Sequence, residues 1–314
     1  MKLISLCDIK SAFDFDTALE AIREAFIAFS DGKVDTPPVG YLGFDNPPGD
    51  MHIKYGHIKG DKLFVVKLAT GFYDNPKLGL PSSNGLMMVI SAETGQPLAL
   101  LQDEGYLTDM RTAIAGALAT STLAAQTDLS VGIIGTGIQA RLQLECLSKI
   151  HNIKEASVWG RSTEATQLYL KDMAAKGITV CAMKSPELVC KCSNVIITTT
   201  PATTPIIQSN WIKRGTHITA VGADAPGKQE LNSDIIKRAT MTVCDSKDQC
   251  LHHGEMSHLP KTHFTDQNSM ELGQLLSKPR QFQRNENDIT VADLTGIAAQ
   301  DIAIAKSIWQ SIST

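Results

Sequence analysis

The sequence lacks the features typical of secreted, membrane-spanning and nucleic-acid-binding proteins. Only 5% of its 314 residues are aromatic, and 29 Lys and Arg stand against 33 Asp and Glu, a formal net charge of −4. This balance gives no indication of a basic surface for nucleic-acid phosphates. No charged segment followed by an apolar run opens the chain, and no stretch of about 18 apolar residues occurs. We therefore expect a cytoplasmic protein that binds neither nucleic acid nor a membrane.

The seven cysteines have neither the spacing of a disulfide framework nor that of a metal site. Cys190 and Cys192 are one residue apart, not two as in a C-x-x-C motif. The adjacent His252 and His253 cannot easily face one metal ion, and no third spaced ligand is evident. The sequence therefore predicts reduced thiols, no structural disulfide and no metal.

The length suits two domains, and the pattern of residues changes near position 112. Before it, an amphipathic helix is predicted over 17–30, with Leu19, Ile22, Phe26 and Phe29 at helical spacing, followed by extended segments at 51–58, 63–69 and 85–91. This first part is predicted to be mostly antiparallel α+β.

After position 112, a helix rich in small residues carries the domain junction, and strand and helix patterns then alternate. Such alternation predicts a doubly wound parallel sheet of the Rossmann type. A last helix is predicted over 294–312 and is expected to return to the first domain. We therefore predict an α/β protein in which residues 1–115 with 296–314 form an α+β substrate and dimerisation domain and residues 116–295 form the Rossmann domain.

A dinucleotide fingerprint, G-x-G-x-x-A, lies between an apolar strand and a helix. Gly135 permits the tight turn, Gly137 lets the backbone approach a pyrophosphate, and Ala140 lets the helix pack near the strand. The N-terminus of that helix then offers free N–H groups to the phosphates. A glycine-rich turn without a ligand is the alternative.

The second strand of the Rossmann pattern is followed by Arg161 and Ser162, about where an acidic residue would bind the adenosine ribose. An arginine and a hydroxyl suit a 2′-phosphate, so NADPH is the preferred cofactor and NADH is possible; a solvated loop arginine is the alternative. The residues predicted to contact the cofactor are Gly135, Thr136, Gly137, Ile138, Gln139, Ala140, Arg161, Ser162, Thr198, Thr199, Thr200, Val221 and Gly222.

Three charged residues are candidates for a substrate site. Lys67 lies in an apolar strand, where an unpaired charge is costly, so it requires an anion. Arg111 could bind a carboxylate through both arms of its guanidinium group, although salt bridges to Asp109 or Glu104 would also explain these cations. Asp224 follows a predicted strand and suits acid–base work, with a helix-cap or turn aspartate as the alternative.

These motifs together resemble the ornithine cyclodeaminase/μ-crystallin family. The resemblance rests on Lys67 with the segment 71–76, Thr108 with 111–112, 135–140, and 222–228, and it extends from about position 37 to 300. It implies a homodimer built through the N-terminal domain and a site between the domains. It also implies that Lys67 and Arg111 bind the substrate carboxylate and that Asp224 and Lys67 are catalytic. A further family arginine is missing, and Lys54 is predicted to replace it.

The segment 49–111 also resembles the family's Δ1-pyrroline-2-carboxylate (ketimine) reductase branch. This implies an enzyme that uses NADPH or NADH to reduce a cyclic imino acid, Δ1-pyrroline-2-carboxylate or Δ1-piperideine-2-carboxylate, to L-proline or L-pipecolate. The alternatives are an ornithine cyclodeaminase, which forms L-proline and ammonia with bound NAD, an alanine-dehydrogenase-like enzyme, and a μ-crystallin-like NADP-dependent binder of a small ligand. Ammonia release from L-ornithine separates the cyclodeaminase from the reductase.

Overall fold

The computed structural model describes residues 1–72, 74–125 and 127–313. Tyr73, which belongs to the motif at 71–76, lies outside the described residues. The chain divides into two compact units: unit 1 is Met1–Arg111 with Ile297–Thr314, and unit 2 is Thr112–Gly296.

Unit 1 contains a mostly antiparallel sheet and helices that pack against it. Its strands are β1 (Lys2–Ile4), β2 (Val34–Asp35), β3 (Gly40–Asp45), β4 (Pro48–Ile58), β5 (Leu63–Phe72), β6 (Ser83–Ser91) and β7 (Pro97–Leu101), and its helices are α1 (Leu6–Ala12), α2 (Phe15–Ser30) and α10 (Ala298–Ser313). The sheet order is β1-β7-β6-β5-β4-β2, with β3 paired to β4. All pairs run antiparallel except β1 with β7. The predicted α+β arrangement is confirmed.

Two helices of unit 1 pack on each other through apolar faces. Asp14 caps α2 by accepting a hydrogen bond at 2.8 Å from the backbone N–H of Thr17. One turn apart, Ile22 and Phe26 are fully buried. Helix α10 contacts α2, β4 and β5 and buries Ile304. An apolar stripe of this kind supplies most of a helix's stability, and it brings the polar residues on the same face of α10 into the interior.

The described residues of unit 2 form an eight-stranded sheet. Its strands are β8 (Asp128–Ile134), β9 (Asn152–Trp159), β10 (Cys181–Ala182), β11 (Val195–Thr198), β12 (His217–Ala220), β13 (Met241–Cys244), β14 (Ser269–Glu271) and β15 (Thr290–Asp293), and its helices are α4 (Ile138–Ile150), α5 (Thr163–Ala175), α6 (Pro186–Cys192), α7 (Ser233–Arg238), α8 (Lys247–His253) and α9 (Leu272–Ser277).

The order of this sheet is β10-β9-β8-β11-β12-β15-β13-β14, and every pair is parallel. The chain runs outward from β8 to β9 and β10 on one side and continues at β11 on the other. Ligands of open parallel sheets bind at such a switch point, outside the carboxyl ends of the strands. The predicted Rossmann fold is confirmed.

Two predicted helix boundaries are wrong. The last helix begins at Ala298, not at 294, since residues 294–297, which follow the buried strand β15 (Thr290–Asp293), are not helical. A four-residue buried strand has too few residues to show a period of its own. Helix α3 (Tyr106–Leu123) begins before Thr112, so Arg111 lies inside it. Asp103 explains the earlier start, since its Oδ2 accepts a hydrogen bond at 2.9 Å from the N–H of Leu107 in the first turn.

Candidate active site

The fingerprint glycines shape the turn between β8 and α4. Gly135 has φ = 119°, a backbone conformation that residues with a side chain rarely adopt. A Cβ at this position would also lie 2.5 Å from Oγ1 of Thr199. Gly137 is the N-cap of α4 and makes no side-chain cap, and a Cβ there would meet no atom within 4 Å. Gly137 thus offers no side-chain acceptor to the start of α4 and leaves open space beside it, which fits a phosphate.

A cavity of about 830 Å³ in unit 2 opens beside this turn. Seven of the predicted cofactor residues line it, namely Gly135, Thr136, Gly137, Arg161, Ser162, Thr199 and Thr200. The remaining lining residues, which were not among the predicted cofactor contacts, are Trp159, Gly160, Ala165, Pro201, Ala202, Thr203, Thr204 and Ile206. The segment 199–204 forms one wall, so it is available to a dinucleotide bound along the switch point.

The other predicted cofactor residues lie around this cavity without lining it. Ile138, Gln139 and Ala140 form the first turn of α4, where Ile138 is exposed and Ala140 fully buried. The hydroxyl of Thr198 donates to the carboxylate of Glu230, and Val221 donates its backbone N–H to the carbonyl of Thr198. Gly222 donates its N–H to the same glutamate. Ile138 to Ala140 therefore support the phosphate turn, whereas Thr198, Val221 and Gly222 belong to the loops that follow β11 and β12.

Arg161 and Ser162 occupy different positions in this cavity. Arg161 is exposed on its lining. Ser162 caps α5 by accepting from the N–H of Ala165 at 3.1 Å, and its hydroxyl donates to Glu164 at 2.7 Å. That hydrogen bond lowers the pKa of the Glu164 carboxyl, so a negative charge lies next to Ser162 at neutral pH. A 2′-phosphate here would be attracted by the positive charge of Arg161 and repelled by the negative charge of Glu164.

A buried ion cluster in unit 1 contains the two predicted carboxylate ligands. Nζ of Lys67 lies 3.1 Å from Oδ1 and 3.0 Å from Oδ2 of Asp301, and Nε of Arg111 lies 3.0 Å from Oδ1. Nη1 of Arg111 donates to Oε1 of Gln300 at 2.8 Å. Lys67 and Asp301 are each only 2% exposed. The anion that Lys67 requires is therefore Asp301 on α10, not Asp109 or Glu104.

Three cations and two carboxylates interact in this cluster, because Asp103 also interacts with Lys67. Lys54 pairs with Lys67 across β4 and β5 and acts on it electrostatically, so three cations surround Asp301. Burial, opposed by Asp301 and aided by the charges of Arg111 and Lys54, lowers the pKa of Lys67 to about 7. The pKa of Asp301 is held down by Lys67, Arg111 and Lys54 against its burial. A bound anion would relieve the positive charge that remains after Asp301 and Asp103 are counted.

Asp103 and Gln300 complete the polar interior of unit 1. Oδ1 of Asp103 and Nε2 of Gln300 are buried without a hydrogen-bond partner among the described residues. Burial raises the pKa of Asp103, although the charge of Lys67 opposes the shift. An acceptor and a donor without partners in one interior are expected where a small polar molecule binds.

Asp224 lies in the loop after β12, in unit 2. Nζ of Lys228 donates to its Oδ1 at 2.6 Å, and about half of the Asp224 side chain is exposed. The carboxylate is thus accessible and is held by a lysine four residues further along the chain. A bound substrate could reach it from solvent.

The whole chain matches one protein family. Residues 2–314 match the model of the ornithine cyclodeaminase/mu-crystallin family. The chain belongs to this family. The resemblance found in the motifs is therefore confirmed, and it covers nearly the entire length.

Three relatives of this family member are informative. A Rhizobium meliloti protein named as a dehydrogenase is 37% identical over 97% of this chain and 94% of its own length. The structure of an archaeal alanine dehydrogenase dimer with bound NAD is 32% identical, covers 100% of this chain and 96% of its own, and has a TM-score of 0.90. The structure of the Thermococcus litoralis Δ1-pyrroline-2-carboxylate reductase with NADH and L-proline is 27% identical in sequence and has a TM-score of 0.91. The match covers 100% of this chain and 98% of the reductase chain.

The sequence did not reveal the acidic partners that hold these sites. The acidic residues Asp301 and Glu230 and the amide Gln300 lie outside the predicted site motifs. Asp301 is separated from Lys67 by 234 positions, so nothing local connects them. One signal was available, since a charged residue on the apolar face of an amphipathic helix requires a buried partner.

None of the helices in the described part of this chain is long and apolar enough to cross a membrane.

Proposed function

We propose that this chain is an NAD(P)H-dependent oxidoreductase that reduces a cyclic imino acid. Its substrate is Δ1-pyrroline-2-carboxylate or Δ1-piperideine-2-carboxylate, and its product is L-proline or L-pipecolate. The observation that carries the proposal is the buried cluster of Lys67, Arg111 and Asp301, in which the cations outnumber the carboxylate. An anionic substrate corrects that imbalance.

The substrate carboxylate binds to Lys67 and Arg111. The guanidinium group of Arg111 offers a planar set of donors that matches a carboxylate, and Asp301 holds that group in place through its Nε. Lys54, on the neighbouring strand, adds to the positive potential at Lys67. The missing family arginine is replaced in this way, and the amide Nε2 of Gln300 supplies a further donor.

The reaction converts the C=N bond into CH–NH by addition of one hydride and one proton. The nicotinamide cofactor, when bound, supplies the hydride. Asp224, which is paired with Lys228, stabilises the protonated imine, which is the better hydride acceptor. Lys67, whose pKa is lowered to about 7, can hold or release a proton near neutral pH and is the second catalytic residue.

The cavity of unit 2 is the proposed cofactor site. The open turn at Gly137, the uncapped start of α4 and the wall at 199–204 fit a dinucleotide. We propose NADPH as the preferred cofactor, on the position of Arg161, with NADH also used because Glu164 opposes a 2′-phosphate. The relatives with NAD and NADH in their structures support the coarser assignment to nicotinamide.

An amino acid dehydrogenase is the second candidate. The alanine dehydrogenase has the higher sequence identity to this chain, 32% against 27% for the reductase, although the TM-scores of the two structures are nearly equal. Both reactions use a carboxylate next to a carbon–nitrogen bond, so the same buried cations would serve. Ornithine cyclodeaminase and a μ-crystallin-like binder stay as further alternatives within the family.

We further propose a cytoplasmic homodimer built through unit 1, which would be the substrate and dimerisation domain. Strand β3 exposes Tyr41, Leu42 and Phe44, a run of large apolar side chains that association would cover. The alanine dehydrogenase relative is described as a dimer. The seven unpaired thiols favour a reducing compartment. Light scattering after size exclusion should give twice the chain mass of 33.9 kDa.

The test follows NADPH and NADH oxidation separately with Δ1-pyrroline-2-carboxylate, Δ1-piperideine-2-carboxylate, and pyruvate with ammonium. Turnover of a cyclic imine that exceeds turnover of pyruvate supports the proposal. The reverse order identifies an amino acid dehydrogenase. No oxidation with any substrate, combined with ammonia release from L-ornithine and catalytic NAD, would instead identify the cyclodeaminase. In each case Asp224→Asn should lose turnover and keep cofactor binding.

A further inference from the structure

Glu230 lies in the segment that follows the loop after β12, and its side chain is fully buried. Oε2 accepts from Oγ1 of Thr198 at 2.7 Å and from the N–H of Gly222 at 2.8 Å. Oε1 accepts from the N–H of Thr200 at 2.6 Å and from its Oγ1 at 2.7 Å. One carboxylate therefore joins the loops that follow β11 and β12.

The donor set requires two acceptor oxygens. Each oxygen receives one backbone amide, and an amide N–H can only donate. A glutamine side chain would face one of the two amides with its own NH₂ group, whichever way it is turned. Burial raises the pKa of Glu230 to about 6, and the hydrogen bonds from Thr198, Thr200 and Gly222 act against that rise, so the group is anionic at neutral pH.

Gly222 packs closely against Glu230 and Thr200. A Cβ on Gly222 would lie 2.2 Å from the carbonyl oxygen of Thr200 and 2.6 Å from Oε2 of Glu230. The backbone is fixed as well, since the N–H of Glu230 donates to Oε1 of Glu255 at 2.6 Å and its carbonyl accepts from Ile206 and Ile207. Ile206 itself lines the cavity. Hydrogen bonds therefore hold both the side chain and the backbone of Glu230 in place.

The loop that Glu230 holds is a wall of the candidate cofactor cavity. Thr200 lines the cavity, and the lining continues along the chain from Thr199 to Thr204. The N–H of Gln229, next to Glu230, also donates to the carbonyl of Ala202 at 2.8 Å. Movement of the carboxylate would therefore move the wall.

We propose that Glu230 is a positioning residue for cofactor binding, which fixes the segment 199–204 and Gly222 in the conformation that receives a nicotinamide dinucleotide. It rests on the proposed function only in that this cavity takes NADH or NADPH. Glu230 touches neither cofactor nor substrate and acts through Thr198, Thr200 and Gly222. Its loss should weaken cofactor affinity more than it slows turnover at saturating cofactor.

The test compares NADH and NADPH dissociation constants, measured by nucleotide fluorescence, in the full-length wild type and four variants. Glu230→Gln should raise the dissociation constant about tenfold, because one loop amide loses its acceptor and the conformation of 199–204 that binds the cofactor becomes less populated. Thr198→Val removes one of the four donors and should raise it about threefold, whereas Thr198→Ser keeps the hydroxyl and should restore wild-type affinity. Thr242→Val is the matched control, because Thr242 is a similarly buried threonine on β13 of the same sheet and is not one of the donors to Glu230.

A merely structural Glu230 would lower the melting temperature and leave the affinity of the folded protein unchanged. Unchanged dissociation constants in both Glu230→Gln and Thr198→Val overturn the inference. If Glu230→Gln does not fold, the contrast between Thr198→Val and Thr198→Ser decides. A wild type that binds neither nucleotide overturns the proposed function as well, whereas a binding wild type with unaffected variants overturns this inference alone.

Discussion

Two buried carboxylates, Asp301 in unit 1 and Glu230 in unit 2, have different kinds of partner. In unit 1, Asp301 faces the charged groups of Lys67 and Arg111. In unit 2, Glu230 faces two amides and two hydroxyls, all neutral. The first arrangement keeps an excess of positive charge that suits an anionic substrate, and the second fixes the backbone without supplying charge of its own to a ligand. Substrate binding and cofactor-loop positioning thus use the same chemical group in opposite ways.

The largest expected effect comes from removing the charge of Asp301. Asp301→Asn leaves Lys67 and Arg111 buried near Lys54 without their carboxylate, and should lower the free energy of unfolding by about 3–5 kcal/mol. Denaturant unfolding measures it. The control is Asp61→Asn, which breaks the less buried ion pair with Lys306 in the same unit and should cost about 1 kcal/mol.

Denaturant unfolding of a Glu230→Gln variant compares this buried carboxylate of unit 2 with Asp301 of unit 1. Its partners are neutral, so its loss should cost about 1–3 kcal/mol, less than that of Asp301. Equal losses for the Asp301 and Asp61 variants would contradict the role of the buried charge. A larger loss for Glu230→Gln than for Asp301→Asn would reverse the comparison.

The fingerprint glycines should separate folding from cofactor binding. Gly135→Ala puts a side chain at φ = 119° and against Thr199, and should destabilise the protein by about 2 kcal/mol. Gly137→Ala enters open space, so stability should change by less than about 1 kcal/mol. Its methyl group would nevertheless approach the phosphates, and NADH affinity should fall about tenfold.

Thermal unfolding and nucleotide titration of both glycine variants make the measurement. Each variant is the control for the other, since both add one methyl group to the same turn. Normal NADH affinity in a stable Gly137→Ala variant would mean that the pyrophosphate lies elsewhere.

Substrate affinity should depend on pH through Lys67. The amine is protonated below its pKa of about 7 and neutral above it, with Asp301, Arg111, Lys54 and Asp103 as the charged groups that act on it. Binding of pyrrole-2-carboxylate, whose ring nitrogen does not titrate near neutrality, should therefore weaken as pH rises through 7, up to about tenfold per pH unit. Isothermal titration over pH 6–9 measures it. A Lys67→Met variant should bind weakly at every pH, and a wild type with constant affinity would exclude Lys67 as the titrating ligand.

How far the sequence predicted this protein depended on how local each feature is. The turn at Gly135 and Gly137 is encoded within a few residues, so its place before α4 was predictable. The pair of Lys67 with Asp301 joins β5 to α10 across the length of the chain, and no single-sequence pattern contains it. The prediction missed short strands such as β15 for a related reason. Four buried residues are too few to show a period, so the predicted last helix was begun too early, directly after that strand.

The smallest expected effect tests the cofactor preference at Arg161. Arg161→Gln removes the exposed cation that would meet a 2′-phosphate, so the KM for NADPH should rise about fivefold while that for NADH stays the same. Arg214→Gln is the control, because it removes an equal charge from the exposed surface of unit 2 outside the cavity lining. The carboxylate of Glu164, held by Ser162, opposes the same phosphate, so Glu164→Gln should improve NADPH use and leave NADH use unchanged. Equal changes for both cofactors in Arg161→Gln would mean that the arginine binds a group common to NADH and NADPH, and the preference for NADPH would then have no basis at this position.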